Sequence, residues 1–195
     1  YKSVTYGELW TDMIPSDLGF HFHGLAIDPN EPDRVFLGSC GSGMWDDESG
    51  RIYRSEDGGF TWEESSDGIP ENDSSIHAIH FVEDEPGTVL FGSYRGGDLT
   101  HTGSDSGIGI YRSTDDGYSW SQANALGALN VPYFAECNGS LWAASELGVL
   151  KSSDAGENWA VSHPAGIDEY LALDCYEDTV IAMDGQGNIV RTDDV

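Results

Sequence analysis

Apolar residues in this chain fall in short alternating runs, set between clusters of Gly, Asp, Ser and Pro. That period-two pattern predicts β-strands, and no stretch carries a helical period. The runs come in groups of three. Residues 24–28, 34–39 and 51–55 make the first group, and 76–82, 88–94 and 109–113 the second. Residues 131–137, 140–145 and 148–152 make the third, and 170–175, 179–184 and 188–192 the fourth. After each of the first three groups comes a tight turn and a further run that opens on a Trp. Four strands per unit, recurring about every 40 residues, predict the blades of a β-propeller.

The turn before each Trp is itself repeated. It reads Ser55-x-Asp57-x-Gly59-x-x-Trp62, Ser113-x-Asp115-x-Gly117-x-x-Trp120 and Ser152-x-Asp154-x-Gly156-x-x-Trp159, and a fourth copy begins at Thr192-Asp193-Asp194. Ser and Asp side chains accept hydrogen bonds from nearby backbone N–H groups and hold a turn closed. Glycine permits φ > 0 there, and the Trp offers a large apolar surface to cover the hairpin. These twelve residues are therefore expected to be structural.

The motif resembles the Asp-box, or BNR repeat, of β-propellers such as sialidases, xyloglucan-degrading glycoside hydrolases, the sortilin ectodomain and photosystem II assembly factors. The resemblance covers nearly the whole chain. It implies an all-β propeller of four-stranded antiparallel blades, with about four visible and six or more in the full ring. It leaves function open, because one scaffold carries unrelated activities. The resemblance also implies that the boxes lie on the face opposite the binding site.

The blades are expected at residues 20–64, 75–122, 130–162 and 168–195, in one domain continuing past the C-terminus. In the alternative, the chain closes on itself. Residues 8–15 resemble 60–62 followed by 68–70, which makes residues 1–12 a candidate closing outer strand. The partners on this reading are the remaining blades or a second chain.

Charge changes the picture. The chain has 35 acidic residues against 8 basic ones, a net charge of −27, and the acids are scattered through every loop. Such self-repulsion is relieved when salt shortens the screening length. The composition therefore resembles that of haloarchaeal proteins and favours the cytoplasm of a halophile, with a secreted or cell-surface location as the alternative. No basic patch exists to hold phosphates, so nucleic acid is not an expected partner. No apolar run approaches a membrane span. The odd set Cys40, Cys137 and Cys175 lacks metal-ligand spacing. Cys137 and Cys175 hold matching positions in adjacent units and are expected to be buried free thiols.

Candidate chemistry lies on the loops entering first strands and joining second to third strands. Aligning Gly38-Ser39 with Gly92-Ser93 makes His23 and His77 equivalent, with His21 nearby, and the alignment extends to Asn130 and Asp168. His80 falls on the opposite strand face and His163 lies at the periphery. The insertions at residues 40–50 and 94–108 add Trp45, Tyr94, Arg95 and His101 as ligand-binding candidates. Asp46, Asp47 and Asp98 are the candidates for a catalytic carboxylate pair.

The expected function is a non-catalytic module that binds a protein, peptide or glycan at its channel face. The alternatives are a glycosidase-like enzyme with catalytic residues partly outside this chain, and a metal site at the His ring. No cofactor is expected beyond that ion. A sialidase is not, because Arg54, Arg112 and Arg191 occupy one repeated scaffold position and leave no arginine triad for a substrate carboxylate.

Overall fold

A computed structural model describes residues 1–3, 5–9, 11–13, 22–40, 50–71, 74–95, 107–123, 127–166, 168–177 and 179–192. The expected strands form four antiparallel sheets in chain order. The first contains β1 (Phe22–Ile27), β2 (Val35–Ser39), β3 (Ile52–Ser55) and β4 (Glu63–Glu64). The second contains β5 (Ser75–Phe81), β6 (Val89–Tyr94), β7 (Ile110–Ser113) and β8 (Ser121–Gln122). The third contains β9 (Tyr133–Cys137), β10 (Ser140–Ser145), β11 (Gly148–Ser152) and β12 (Ala160–Pro164). Three described strands make the fourth: β13 (Tyr170–Tyr176), β14 (Thr179–Asp184) and β15 (Ile189–Thr192).

The first strands β1, β5, β9 and β13 are neighbours in that order, so the sheets stack around an inner line of strands. The core lies between sheets. Phe36, Ile52, Ile76, Phe91 and Trp120 fill the seam between the first and second sheets, and Leu90, Ile110, Leu141, Leu150 and Trp159 the next. Trp142, Val149, Tyr170, Leu173 and Val180 fill the third seam. Fully buried aliphatic and aromatic side chains of this kind each contribute roughly 1.5–3 kcal/mol.

The boxes do what their chemistry predicts. In the second, the Ser113 hydroxyl donates to Asp115 Oδ1 at 2.7 Å and accepts from the Gly117 N–H at 2.9 Å. Asp115 Oδ1 also accepts the Ser119 N–H at 2.9 Å. The first and third boxes repeat these bonds. Trp120 and Trp159 are buried, while Trp62 is half-buried.

These bonds favour the carboxylate form. Thr61, through its hydroxyl and its N–H, holds Asp57 down to about 2. The Asn158 N–H lowers Asp154, and at Asp115 the hydrogen bonds from Ser119 and Ser113 outweigh burial, which acts the other way. A depressed folded-state pKa stabilises the protein above the ordinary carboxylate range, and that stability is lost as pH falls through it. Melting temperature should therefore drop between about pH 4 and about pH 2. Asp154→Asn should melt lower than the parent at pH 6, with the difference shrinking by pH 2. A pH-independent difference would show that the carboxylate charge is irrelevant to the turn.

The structure adds a box that the letters hide. Residues 3–10 read Ser-Val-Thr-Tyr-Gly-Glu-Leu-Trp, with Thr5 in the place of the Asp. Ser3 Oγ accepts from the Thr5 N–H at 3.3 Å and the Gly7 N–H at 2.9 Å, and Thr5 Oγ1 accepts from the Leu9 N–H at 2.8 Å. Gly7 has φ 90°, against 94° at Gly59. Lys2 and Thr11 exchange two backbone hydrogen bonds of 2.8 Å, in the register that pairs Arg54 with Glu63. The N-terminal segment is thus a turn closed by a single isolated bridge, at the register of a blade's third-to-fourth-strand connection. Among the described ladders none joins it to Ile189–Thr192, and Val4 and Trp10 lie outside the described residues.

One expectation is overturned. Cys137 and Cys175 are not free thiols but a disulfide, with Cα atoms 6.1 Å apart. In register Cys137 is equivalent to Tyr176 and Cys175 to Glu136, so the two stand one residue apart. Strand alternation turns them to opposite faces, and on adjacent inner strands both therefore meet in the seam between the third and fourth sheets. Cys40 is free.

Few bases serve many acids. Arg34 ties the first sheet to the second box, reaching Asp28 at 2.8 Å and Asp116 at 2.6 Å. The remaining negative charge is largely uncompensated, so thermal melts should rise steadily from low to multimolar KCl as repulsion is screened. A flat or falling melting point over that range would refute the role of self-repulsion.

Candidate functional site

Box turns join third to fourth strands, and the two insertions join second to third strands. In an antiparallel sheet those connections lie at opposite ends, so boxes and insertions face opposite ways. The starts of β1, β5, β9 and β13 share the insertion end. His23 and His77 both sit there, each at an irregular step in the pairing of an inner strand with its neighbour. Such bulges re-aim a side chain.

Here they bring the two imidazoles into a stack, with ring centroids 4.5 Å apart and planes 13° from parallel. Tyr94 packs on His77 at 5.0 Å. Its hydroxyl donates to Glu169 Oε1 at 2.9 Å, linking the second sheet to the loop that enters the fourth. The outcome is one strip of His23, His77, Tyr94 and Glu169 along the channel face.

Its electrostatics follow from partial burial. Burial, and then the neighbouring His23, lower His77 to about 4. It is therefore a neutral imidazole near pH 7, able to donate through one nitrogen and accept through the other. Burial and the bond to Glu169 raise Tyr94 to about 12, so its hydroxyl keeps its proton.

The other candidates separate. His21, Trp45, Asp46, Asp47, Asp98 and His101 lie outside the described residues. Arg95 sits beside the strip, at the base of the second insertion. The extension to Asn130 and Asp168 fails on register. Gly24 and Ala78 align with Tyr133 and Ala172, so the positions equivalent to His23 and His77 are Pro132 and Leu171.

Asn130 is instead a clamp. Its Oδ1 accepts from the Arg95 N–H at 2.8 Å and the Gly107 N–H at 2.9 Å, closing both ends of the insertion. Asp168 caps the Glu169 N–H at 3.1 Å. His80 lies within 2.9 Å of Glu136, a tie between the second and third sheets. Among the described residues no group of three or more His, Cys, Asp or Glu could hold a metal ion. Glu169 was missed as a site residue; its place in the loop entering an inner strand was the available signal.

No family model matches the chain. It is 33% identical over 137 residues to a xyloglucanase of Acetivibrio thermocellus, an alignment covering 61% of this chain and 15% of that protein. The chain thus spans a small part of that relative's length. Among solved structures it is similar to the GH74 xyloglucanase from Xanthomonas campestris, with TM-score 0.63 and 17% identity, over 87% of this chain and 28% of that one. It is also similar to YCF48 bound to D1 peptide, with TM-score 0.52 and 15% identity, over 88% of this chain and 48% of that one. These neighbours are β-propellers, and the likeness establishes that fold here: an all-β arc of antiparallel propeller blades.

Proposed function

We propose that this chain is a non-catalytic propeller module of the Asp-box type, which binds a glycan or peptide along the strip at its channel face. The supporting observation is the Tyr94–Glu169 bond, which joins a stacked pair of imidazoles to a carboxylate on one partly exposed surface. Flat rings with fixed polar edges suit the faces and hydroxyls of sugars, and equally the amides of an extended peptide. The xyloglucanase and YCF48 likenesses match those two ligand classes.

A second reading is a glycosidase-like enzyme using Asp46, Asp47 or Asp98, with further catalytic residues outside this chain. The identity to a xyloglucanase favours it. Sialidase chemistry does not fit. Among the described residues, Arg34, Arg54 and Arg112 are engaged by box-turn residues, Arg51 pairs with Glu64, and Arg95 follows Tyr94 of the strip in sequence. The reading also places the chain within a larger propeller of blades at residues 20–64, 75–122, 130–162 and 168–195. The acidic surface fits a halophile. The disulfide fits an oxidising compartment, which makes a secreted or cell-surface location the better of the two placements.

A panel of soluble plant glycans and extended peptides, tested for retention and for turnover, decides between the readings. Retention without turnover is the expected result. His77→Ala and Tyr94→Phe should each weaken binding about tenfold, the equivalent of about 1.4 kcal/mol. Product release from xyloglucan would replace the binding reading by the enzymatic one. Binding indifferent to both substitutions would move the site off the strip.

A further inference from the structure

Residues 138–140 read Asn-Gly-Ser. An asparagine two residues before a serine or threonine, with no proline between, is the acceptor sequence for N-linked sugar. The structure places this triplet at the tip of a hairpin. β9 ends at Cys137, β10 begins at Ser140, and those two residues pair directly. The loop is therefore Asn138-Gly139 alone. Asn138 has φ 49° and Gly139 φ 65°, the two positive values that a type I′ turn requires. Both residues are exposed, and a Cβ added at Gly139 would meet nothing within 4 Å. Gly139 also borders an open hollow lined by Glu85, Arg112 and Glu157, which leaves room for a bulky substituent. The turn accounts for Asn138 and Gly139 but makes no demand on residue 140. Thr88 and Thr179 hold the place of Ser140 in the second and fourth units, yet only the third unit has asparagine two residues ahead.

Two further observations agree. Cys137, the residue before Asn138, forms the disulfide with Cys175. A disulfide marks a chain folded in an oxidising compartment, and N-linked sugar belongs to the surface loops of exported chains. The β9–β10 turn also lies at the box end of its sheet, whereas His23, His77, Tyr94 and Glu169 lie at the insertion end. Bulk at Asn138 therefore leaves the channel mouth open.

We propose that Asn138 is an N-glycosylation site, which carries sugar on the face opposite the binding strip. The modification requires the secreted or cell-surface location that the disulfide favours. The donor is a sugar held through its anomeric carbon on a lipid phosphate or pyrophosphate. Asn138 Nδ2 bonds to that carbon, the carbon–oxygen bond to phosphate breaks, and the lipid phosphate leaves with the electron pair. The amide gives up one proton to a base of the transferase. Ser140 supplies the hydroxyl that the transferase reads, and in the folded protein this residue is buried. Transfer therefore precedes closure of the β9–β10 hairpin, during export.

The test is mass spectrometry of the whole chain exported behind a secretion leader, in a host that glycosylates a reporter carried by the same leader. After reduction, trypsin releases residues 113–151 as one peptide, in which Asn138 begins the only such triplet. Most of that peptide is expected to carry a sugar mass on Asn138. Asn138→Asp keeps a residue that tolerates the left-handed turn, and should remove the sugar. Ser140→Ala should remove it too, and Ser140→Thr should keep it. A bare peptide from exported protein whose Cys137–Cys175 bridge has formed overturns the proposal, as does sugar that survives Ser140→Ala. The triplet Asn72-Asp73-Ser74 begins outside the described residues and falls on a separate tryptic peptide, residues 55–95. Sugar there with a bare Asn138 would show a competent transferase that passes Asn138 by, and would also overturn it. A strip that binds no glycan or peptide would leave all these masses unchanged.

Discussion

Replacing Trp120 by Ala should lower the unfolding free energy by about 3–5 kcal/mol, the usual cost of deleting a buried aromatic. The indole is 4% exposed. It meets Phe36 edge-on at 6.2 Å and Phe91 at 5.1 Å, and its N–H donates to the Ser65 carbonyl. Those neighbours come from both sides of the first seam, so truncation leaves a cavity that neither sheet can fill alone. It also strands the Ser65 carbonyl. The comparison with Trp62→Ala makes the test specific. Trp62 has the same motif position but is half-buried, so its loss should be smaller. Urea unfolding at one fixed KCl concentration gives both values. Equal losses at the two sites would mean that the tryptophans act through the turn and not through the seam.

Loss of the Cys137–Cys175 bridge should cost about 2–4 kcal/mol. The bridge spans a sequence separation of 38. In the chain-entropy account, closing a loop of that size restricts the unfolded chain by about 4 kcal/mol, and measured values commonly fall below it. The Cys137→Ser/Cys175→Ser double variant, or the reduced parent, should melt well below the oxidised protein. Cys40→Ser should leave the melt unchanged. Thiol titration of the unfolded, unreduced chain should find one free group, and three after reduction. Three thiols before reduction would remove the bridge, and its stabilisation with it.

The boxes were readable because their chemistry is local: a Ser, an acceptor two residues on and a Gly that tolerates positive φ. The N-terminal box escaped a reading keyed to Asp, although the turn asks only for an oxygen acceptor, and the Thr5 hydroxyl supplies one. His23 and His77 were legible because the blades that carry them share both a glycine marker and a bulge. The next two blades keep neither histidine nor the glycine at Gly38 and Gly92, so the extended alignment lost its marker and reached Asn130 and Asp168, short of the equivalent Pro132 and Leu171. The disulfide was also present in the pattern. The two cysteines look like one repeated position, but the register sets them one residue apart, and that offset turns them to opposite faces of their strands and so toward each other. Tyr94 with Glu169 joins residues 75 positions apart, a distance no local pattern bridges.

The forward reach of Lys2, Arg54 and Arg112 to the box that follows each of them bears on how the chain is made. Lys2 reaches forward to the Gly58 carbonyl, Arg54 to the Tyr118 ring and Arg112 to the Ala155 carbonyl, and the Gly117 and Gly156 turns lie on Phe36 and Leu90, which precede them in the chain. During synthesis the chain emerges in that same direction. The second and third box hairpins therefore leave the ribosome to meet a surface already translated. Assembly can then advance blade by blade, the finished part templating the nascent one.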